Sequence, residues 1–430
     1  MPQMQPNKIQ FLLNRLYQLN PPDRIELTLD RIQRLLKDLK HPEKQLSNVI
    51  TVTGTNGKGS TCEYLKNILK VHGYSVNVYT SPHIVKFNER IFLNENFISD
   101  DEFEQLVYEV DRANNHQDIT FFEFTTALAF LAFSKHKADY HIIETGLGGI
   151  GDSTNVFEQP LAQVLTSISL DHLEYLGPTL QDIVRNKCGI IKEKTNIIIS
   201  KQSSKAMKFV DEQLKRNRSK KFILSEDFQV SEENNNMIYQ DNIGLMDLSL
   251  PKMKGKFQLE NAAVAIQTLR SLNLDLNNKK TSDAISKTEL PARIQEITKG
   301  NLRNHVHDEN RLFIDGSHNK EGGKELANFL SKIQGKQRIY FVFGMLTSKN
   351  LKDYLENFSS LITEIKVVKL RENFYETADV LKVAKELGIH ANPTKNVASG
   401  LAQLALQDPE SIIVVCGSLY LSGSALELNL

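Results

Sequence analysis

At 430 residues, with 40% hydrophobic and 24% charged side chains, the chain is too long for one ordinary core and too apolar for disorder; two folded domains, or three, are expected. Lys plus Arg and Asp plus Glu both number 52, so no global field gathers nucleic acid or an anionic membrane, and an anionic substrate has to be held by local charges. Cys62, Cys188 and Cys416 form an odd set without CxxC spacing, which argues against a disulfide framework or a thiolate metal site and fits a reducing cytoplasm. The opening MPQMQPNKIQ has no signal-peptide core, and the richest apolar run, ALAFLAF at Ala127 to Phe133, is too short to span a bilayer, so no membrane partner is expected.

Along the chain, SNVITVT, YSVNVYT, DYHIIET, AQVLTSI and NIIIS read as strands. The segments after Ser60, around Asp100 to Val110, Glu123 to Lys137 and Thr179 to Lys187 read as helices. Strand, crossover, strand repeated this way predicts a mostly parallel sheet with helices on its faces. Asp227 to Pro251 is polar and turn-rich, with the short alternation of an antiparallel insertion. KFQLENAAVAIQTLRSL restores a helix with small residues at Ala262, Ala263 and Ala265. RLFIDGSH, RIYFVFG, EIKVVKL and SIIVVCGS then begin a second strand series, after a polar stretch that puts the boundary near Glu296. The expected fold class is α/β: an N-terminal P-loop-type, mostly parallel domain over 1–296 with a small antiparallel insertion, and a smaller Rossmann-like domain over 297–430.

The stretch VITVTGTNGKGST, Val49 to Thr61, carries the chemistry. A buried strand runs into a turn holding Gly54, Thr55, Asn56, Gly57, Lys58, Gly59, Ser60 and Thr61, and a helix follows. Such a turn gathers backbone N–H groups and the positive helix end around one point suited to phosphate, while Lys58 adds a mobile charge and Ser60 or Thr61 a hydroxyl. A tight turn that merely uses glycine is the plainer alternative. Against the GxxxxGK[ST] pattern the match is partial, because Val52 and Gly59 stand where Gly and Ser or Thr are wanted.

TGTNGKGST resembles the ATP loop of the Mur ligase superfamily of amide-forming ligases. YTSPHIVKFNERI, ETGLGGIGDSTNV, SLDHLEYLGPTLQDIVRNKCGIIK, PARIQE, IDGSHN and GSLYLSG follow in that order. Together, over about residues 10 to 425, they resemble the folylpolyglutamate synthase family, including its bifunctional dihydrofolate synthase form. The resemblance implies activation of a carboxylate by ATP to an acyl phosphate, attack by the amine of L-glutamate, and reduced folate or dihydropteroate as acceptor. Magnesium, as two ions, is the implied cofactor, with a monovalent cation a further possibility and a monomer the expected state.

On the same resemblance, Ser81, Glu144 and His172 are metal positions, each following a predicted strand, and Lys187 is carbamylated by carbon dioxide so that its two oxygens hold a second metal ion. Taken singly, His172 could cap a helix and Lys187 could be a solvated surface lysine. Asn261 and Arg293 fall at the adenine and phosphate positions; an interdomain salt bridge is the other use for Arg293. Asp315 and His318 are implied in glutamate binding, with domain closure excluding water from the acyl phosphate. Lys58, Lys187, Asp315 and His318 are thus the catalytic candidates. Ser81, Pro82, His83, Phe87, Asn88 and Glu89 make the folate-side loop, whereas Phe121, Phe122 and Phe124 read more readily as core.

Four departures from the family pattern stand out: Ile150 for an arginine after GLGG, Asn186 for a glutamate, and Ser348 and Asn350 for acids flanking a lysine. None touches the ATP loop, so ligase chemistry survives them; the Ile150 change, near the folate and metal loops, bears on substrate range. The alternatives are a folylpolyglutamate synthase only, a cell-wall Mur ligase, a P-loop NTPase without ligase activity, and a homologue that has lost turnover.

Overall fold

The structure, a computed structural model, describes residues 12–13, 16–17 and 25–430. They group into two compact units: Met1–Ser169, Leu173–Leu250 and Glu260–Lys287 form one; Leu170–His172, Pro251–Leu259 and Thr288–Leu430 form the other.

In the first unit the described residues build an eight-stranded sheet. Its strands are β1 (Val49–Thr53), β2 (Val76–Tyr79), β3 (Ile91–Leu93), β4 (Asn96–Phe97), β5 (Tyr140–Glu144), β6 (Ala162–Leu165), β7 (Asn196–Ile199) and β8 (Lys221–Ile223), in the order β4-β3-β2-β5-β1-β6-β7-β8. From β2 to β8 all pairings are parallel, and β3 and β4 add an antiparallel hairpin at the edge. All five residues of β1 are buried, as a central strand covered on both faces requires. Register sets Val52 beside Glu144 and Thr53 beside Leu165, so β1, β5 and β6 all end along one carboxyl edge.

The helix Phe121–Lys135 shows why the apolar run is core rather than membrane. Thr120 and Glu123 form a reciprocal capping box, and twelve of the fifteen residues are buried, so its apolar character runs round most of the helix. Among the described residues, no helix is long and apolar enough to cross a membrane. Phe121 and Phe124 lie in the core with Phe87 and Phe103, as their sequence setting suggests.

The polar insertion folds as β9 (Phe228–Glu233), β10 (Asn236–Asp241) and β11 (Leu245–Ser249), a three-stranded antiparallel sheet. Met237, Tyr239, Met246 and Leu248 alternate inward and are buried. Tyr239 Oη donates to Gln267 Oε1 at 2.7 Å, and Arg270 meets the fully buried Asp241 side chain at 2.5 Å.

The second unit carries β12 (Gln295–Glu296), β13 (Arg311–Ile314), β14 (Ile339–Phe343), β15 (Glu364–Val367), β16 (His390–Pro393) and β17 (Ile412–Cys416) in the order β12-β13-β17-β14-β15-β16. Only β12 runs antiparallel to its neighbour in this described sheet. Phe313, Phe341, Phe343, Tyr354 and Phe358 fill its core.

The three cysteines are free and buried at separate places: Cys62 in the helix after β1, Cys188 at the end of the helix Leu180–Cys188, and Cys416 closing β17. Burial pushes the Cys188 thiol up to about 12 and raises the other two well above the usual thiol range.

Candidate active site

The loop after β1 is shaped by two glycines at positive φ, Gly54 at +145° and Gly57 at +91°. A Cβ on Gly54 would lie 1.9 Å from Thr166 Oγ1, and one on Gly57 would lie 2.5 Å from Asn261 Oδ1, so backbone angle and close approach both demand glycine. Thr55 N and Asn56 N donate to Ser167 O at 2.8 and 3.2 Å, which pins the loop to the end of β6. The helix Lys58–Val71 then starts at Gly57 with no side-chain cap, leaving its first-turn amides for an anion. Thr61 Oγ1 is buried without a hydrogen-bond partner among the described residues.

Two ammonium groups meet at this loop. Lys58 Nζ donates to Gly54 O and Thr55 O, each at 3.2 Å, and Lys187 Nζ donates to the same Gly54 O at 2.7 Å. Lys187 is 5% exposed, so it is not the solvated surface lysine that its sequence setting allows. It is delivered by close contact between the GLGG loop and the helix Leu180–Cys188: a Cβ on Gly149 would lie 2.6 Å from Asn186 O and 2.8 Å from Lys187 O. Ile150 N donates to Asn186 O at 3.1 Å, and the Ile150 side chain lies over Gly189. Asp152, buried beneath, accepts from Leu147 N, Thr154 N and Thr154 Oγ1, and its pKa is raised by burial.

At the neighbouring strand ends Ser81 N donates to Glu144 Oε2 at 3.1 Å, with Glu144 buried. Among the described residues no three His, Cys, Asp or Glu side chains gather as a metal centre. The donors at hand in this unit, the Glu144 carboxylate and the Ser81 hydroxyl, are oxygens of the kind a hard divalent cation takes.

Several residues of the segment Ser81 to Glu89, expected from the sequence to face folate, hold their own loop. Glu89 accepts from Ile84 N, Val85 N and Lys86 N at 2.7 to 3.3 Å, and His83 Nδ1 accepts from Arg90 Nε at 3.0 Å. Asn88 donates to Ile98 O and Asp100, while Phe87 is buried against Phe103. Pro82 follows Ser81 through a cis peptide bond.

In the second unit, IDGSHN follows β13. Asp315 is buried and accepts from Ser317 N and Ile294 N, both at 2.9 Å, which ties the IDGSHN loop to the PARIQE turn and to Arg293. Arg293 Nε is itself buried with no hydrogen-bond partner among the described residues. His318 Nδ1 lies 2.8 Å from Gly316 O, leaving Nε2 3.8 Å from Asp171 Oδ2.

Asp171 organises this corner. Lys349 Nζ sits 2.5 Å from its Oδ1, Asn319 Nδ2 donates to Oδ2 at 3.3 Å, and Lys349 Nζ also lies 3.1 Å from His172 Nε2. Burial opposes ionisation of Asp171, but the Lys349 charge and the two histidines outweigh it and hold the carboxyl well below its usual range. Burial, then repulsion from Lys349, pushes His318 down to about 4, so its imidazole is neutral at pH 7. Sequence reasoning gave Asp171, Asn319 and Lys349 no role; the only signals were an Asp beside a candidate histidine and a lysine without its usual acidic neighbours.

The structure thus brings together Lys58, Lys187 and Gly54; Gly57 and Asn261; Ser81 and Glu144; and, in the second unit, Arg293, Asp315 and His318. His172 lies with Lys349 in that second unit.

Comparison with known proteins bears on these features. Residues 52–269 match the Mur ligase middle domain, and residues 298–428 match the dihydrofolate synthetase C-terminal domain. A Saccharomyces cerevisiae dihydrofolate synthetase is 30% identical over 94% of this chain and 98% of its own. A Bacillus subtilis dihydrofolate synthase/folylpolyglutamate synthase is 32% identical over 77% and 79%. Among solved structures, Escherichia coli FolC in complex with DHPP and ADP superposes with a TM-score of 0.87 at 27% identity, covering 100% of this chain and 99% of that one. The Yersinia pestis bifunctional folylpolyglutamate synthase/dihydrofolate synthase with AMPPNP and Mn ion gives 0.85 at 26%, covering 97% of each. With two glycines forced into a phosphate-type loop, two lysines on its carbonyl, and relatives matched over 79% to 99% of their length, the chain belongs to the Mur ligase family, in its dihydrofolate synthase/folylpolyglutamate synthase branch.

Proposed function

We propose that the chain is an ATP-dependent ligase that joins L-glutamate to folates, and to dihydropteroate as well, through an acyl phosphate. The observation that carries this reading is the loop Gly54–Thr61, with its glycine cradle, open helix N-terminus and the Lys58 ammonium folded onto its carbonyls. A carboxylate is a poor electrophile, and oxide a poor leaving group. Transfer of the γ-phosphoryl group to a carboxylate oxygen, with release of ADP, cures both; the glutamate amine then adds to the acyl carbon, phosphate departs, and the nitrogen loses a proton.

The chain's own residues mainly hold charge and position. Lys58, folded back on the loop carbonyls, turns its ammonium to the phosphate oxygens, and the first-turn amides beside Gly57 take the rest of that charge. Asn261, at the loop beside Gly57, holds the nucleotide; in the second unit, the unpartnered Arg293 Nε supports a phosphate contact for that side chain. A divalent cation, when bound, supplies further neutralisation of the phosphates; in the first unit Ser81 and Glu144 would hold it. Lys187 as a carbamate would keep an N–H for Gly54 O while gaining two anionic oxygens for a second ion. Asp315 fixes the loop that presents His318 to the amino acid, and Ser81 to Glu89 line the folate side.

The test is phosphate release with ATP, magnesium and L-glutamate, adding no acceptor, dihydropteroate or a reduced folate, with mass analysis of products. Amide from both acceptors supports the bifunctional enzyme. Phosphate release indifferent to acceptor, with no new amide, refutes the ligase reading. The match to a dihydrofolate synthetase C-terminal domain favours a second reading, a dihydrofolate synthase alone, which predicts product from dihydropteroate only. Carbamylation of Lys187 is read separately, as a carbamate carbon resonance after incubation with 13C-bicarbonate that is absent from Lys187→Ala.

A further inference from the structure

Glutamate keeps both carboxylates throughout the reaction just proposed, so the second unit needs a cation for at least one of them. Several cations of the second unit are committed, and Lys320, next in sequence to the IDGSHN loop, lies 3.9 Å from Glu356. Lys349 is buried on Asp171, Lys369 pairs with Glu376 at 2.5 Å, and His318 is neutral at pH 7. Arg293 is already assigned to phosphate. Arg371 is exposed, and among the described residues no carboxylate lies within ion-pair distance of it. Its guanidinium sits 5.1 Å from the centroid of the Tyr420 ring.

The pair is tied to the IDGSHN loop from two sides. The segment after β15 that carries Arg371 bridges to the segment after β14 through Leu346 and Phe374, with Thr347 N donating to Asn373 O at 3.0 Å and Tyr375 N to Met345 O at 2.9 Å. Tyr375 Oη donates to the carbonyl of Lys349, the residue that holds Asp171 beside His318. From the other side, Tyr420 opens the helix Leu419–Leu428, and Leu419 packs so closely on Gly316 that a Cβ there would meet it at 2.2 Å. A guanidinium over an aromatic face loses little hydrogen-bonding capacity, because its N–H groups point outward in the ring plane, in the fork geometry that suits a carboxylate. Tyr420, 45% exposed, leaves apolar surface beside it for the methylene stem.

We propose that Arg371, seated on Tyr420, binds a carboxylate of the incoming L-glutamate and sets the preference for that amino acid. The proposal rests on the ligase reading above. Steady-state kinetics on Arg371→Met, Arg371→Lys, Tyr420→Ala and Tyr420→Phe test it. Arg371→Met should raise the KM for glutamate by about tenfold to a hundredfold, the usual weight of a charge-assisted hydrogen bond, while the KM for ATP and kcat at saturating glutamate stay within about twofold. Arg371→Lys should recover part of the loss, Tyr420→Phe nearly all, and Tyr420→Ala should fall between. L-Glutamine and glutamate α-amide identify which carboxylate is read, because the discrimination against one of them should collapse in Arg371→Met. An unchanged glutamate KM in that variant overturns the proposal. If wild-type protein forms no amide, the ligase reading fails on its own, and L-glutamate titration followed by NMR still decides: binding lost in Arg371→Met supports the site, and equal or absent binding in both proteins rejects it.

Discussion

Lys58 and Lys349 both come soon after parallel strands, and they should fail in different ways. On the proposed mechanism Lys58→Met removes charge compensation from a loop whose shape is set by glycine, so kcat should fall by about a hundredfold to a thousandfold with an unchanged far-UV spectrum. Lys349→Met instead strands the buried Asp171 carboxylate and should cost about 3 kcal/mol in urea unfolding, much of which Asp171→Asn in the same chain should recover. His318 gives a pH signature. Its native pKa, about 4, lies below the usual histidine value near 6.5, so between those limits the unfolded chain binds the extra proton. Stability should therefore fall as pH drops from about 6.5 to about 4, and His318→Asn should flatten that slope in thermal melts; Asp171, also depressed, contributes its own loss at still lower pH. The Lys58 loop was readable because glycine spacing carries its own signal. The Asp171 network was not, because Lys349 lies 178 residues from Asp171 and the two meet only through the fold.

At the scale of elements, glycine positions and caps make the sharpest predictions. Gly57→Ala forces both a strained φ and a 2.5 Å approach to Asn261 Oδ1, so ATP should lose most of its ability to raise the melting temperature, while the ligand-free melting temperature changes far less. Thr120→Ala removes one half of a capping box on a buried helix and should cost about 1 kcal/mol. Central strands such as VITVT, IYFVF and IIVVC were legible because burial on both faces demands continuous apolar runs. β16 was not, since HANP is a mostly exposed edge strand with a terminal proline and no alternation. The two-residue β12 and the β3–β4 hairpin, turned at Asn94 with φ of 54°, were hidden for want of length.

For the whole molecule, 52 cationic and 52 anionic side chains leave 11 histidines to decide the net charge near neutrality. Self-attraction measured by light scattering should peak near pH 7, where the formal net charge is zero, and weaken on acidification. Affinity for anionic substrates, set by local groups, should respond only modestly to salt. The cysteines carry a different consequence. With Cys62 and Cys188 in one unit and Cys416 in the other, each thiol is shut away from solvent until its surroundings open. A disulfide reagent added to native protein should react slowly at all three. Peptide mapping of the adducts over time would then clock the breathing of each unit separately, with no label introduced. ATP should slow the Cys62 clock in particular, because that residue directly follows Thr61 in the helix that opens at the phosphate loop.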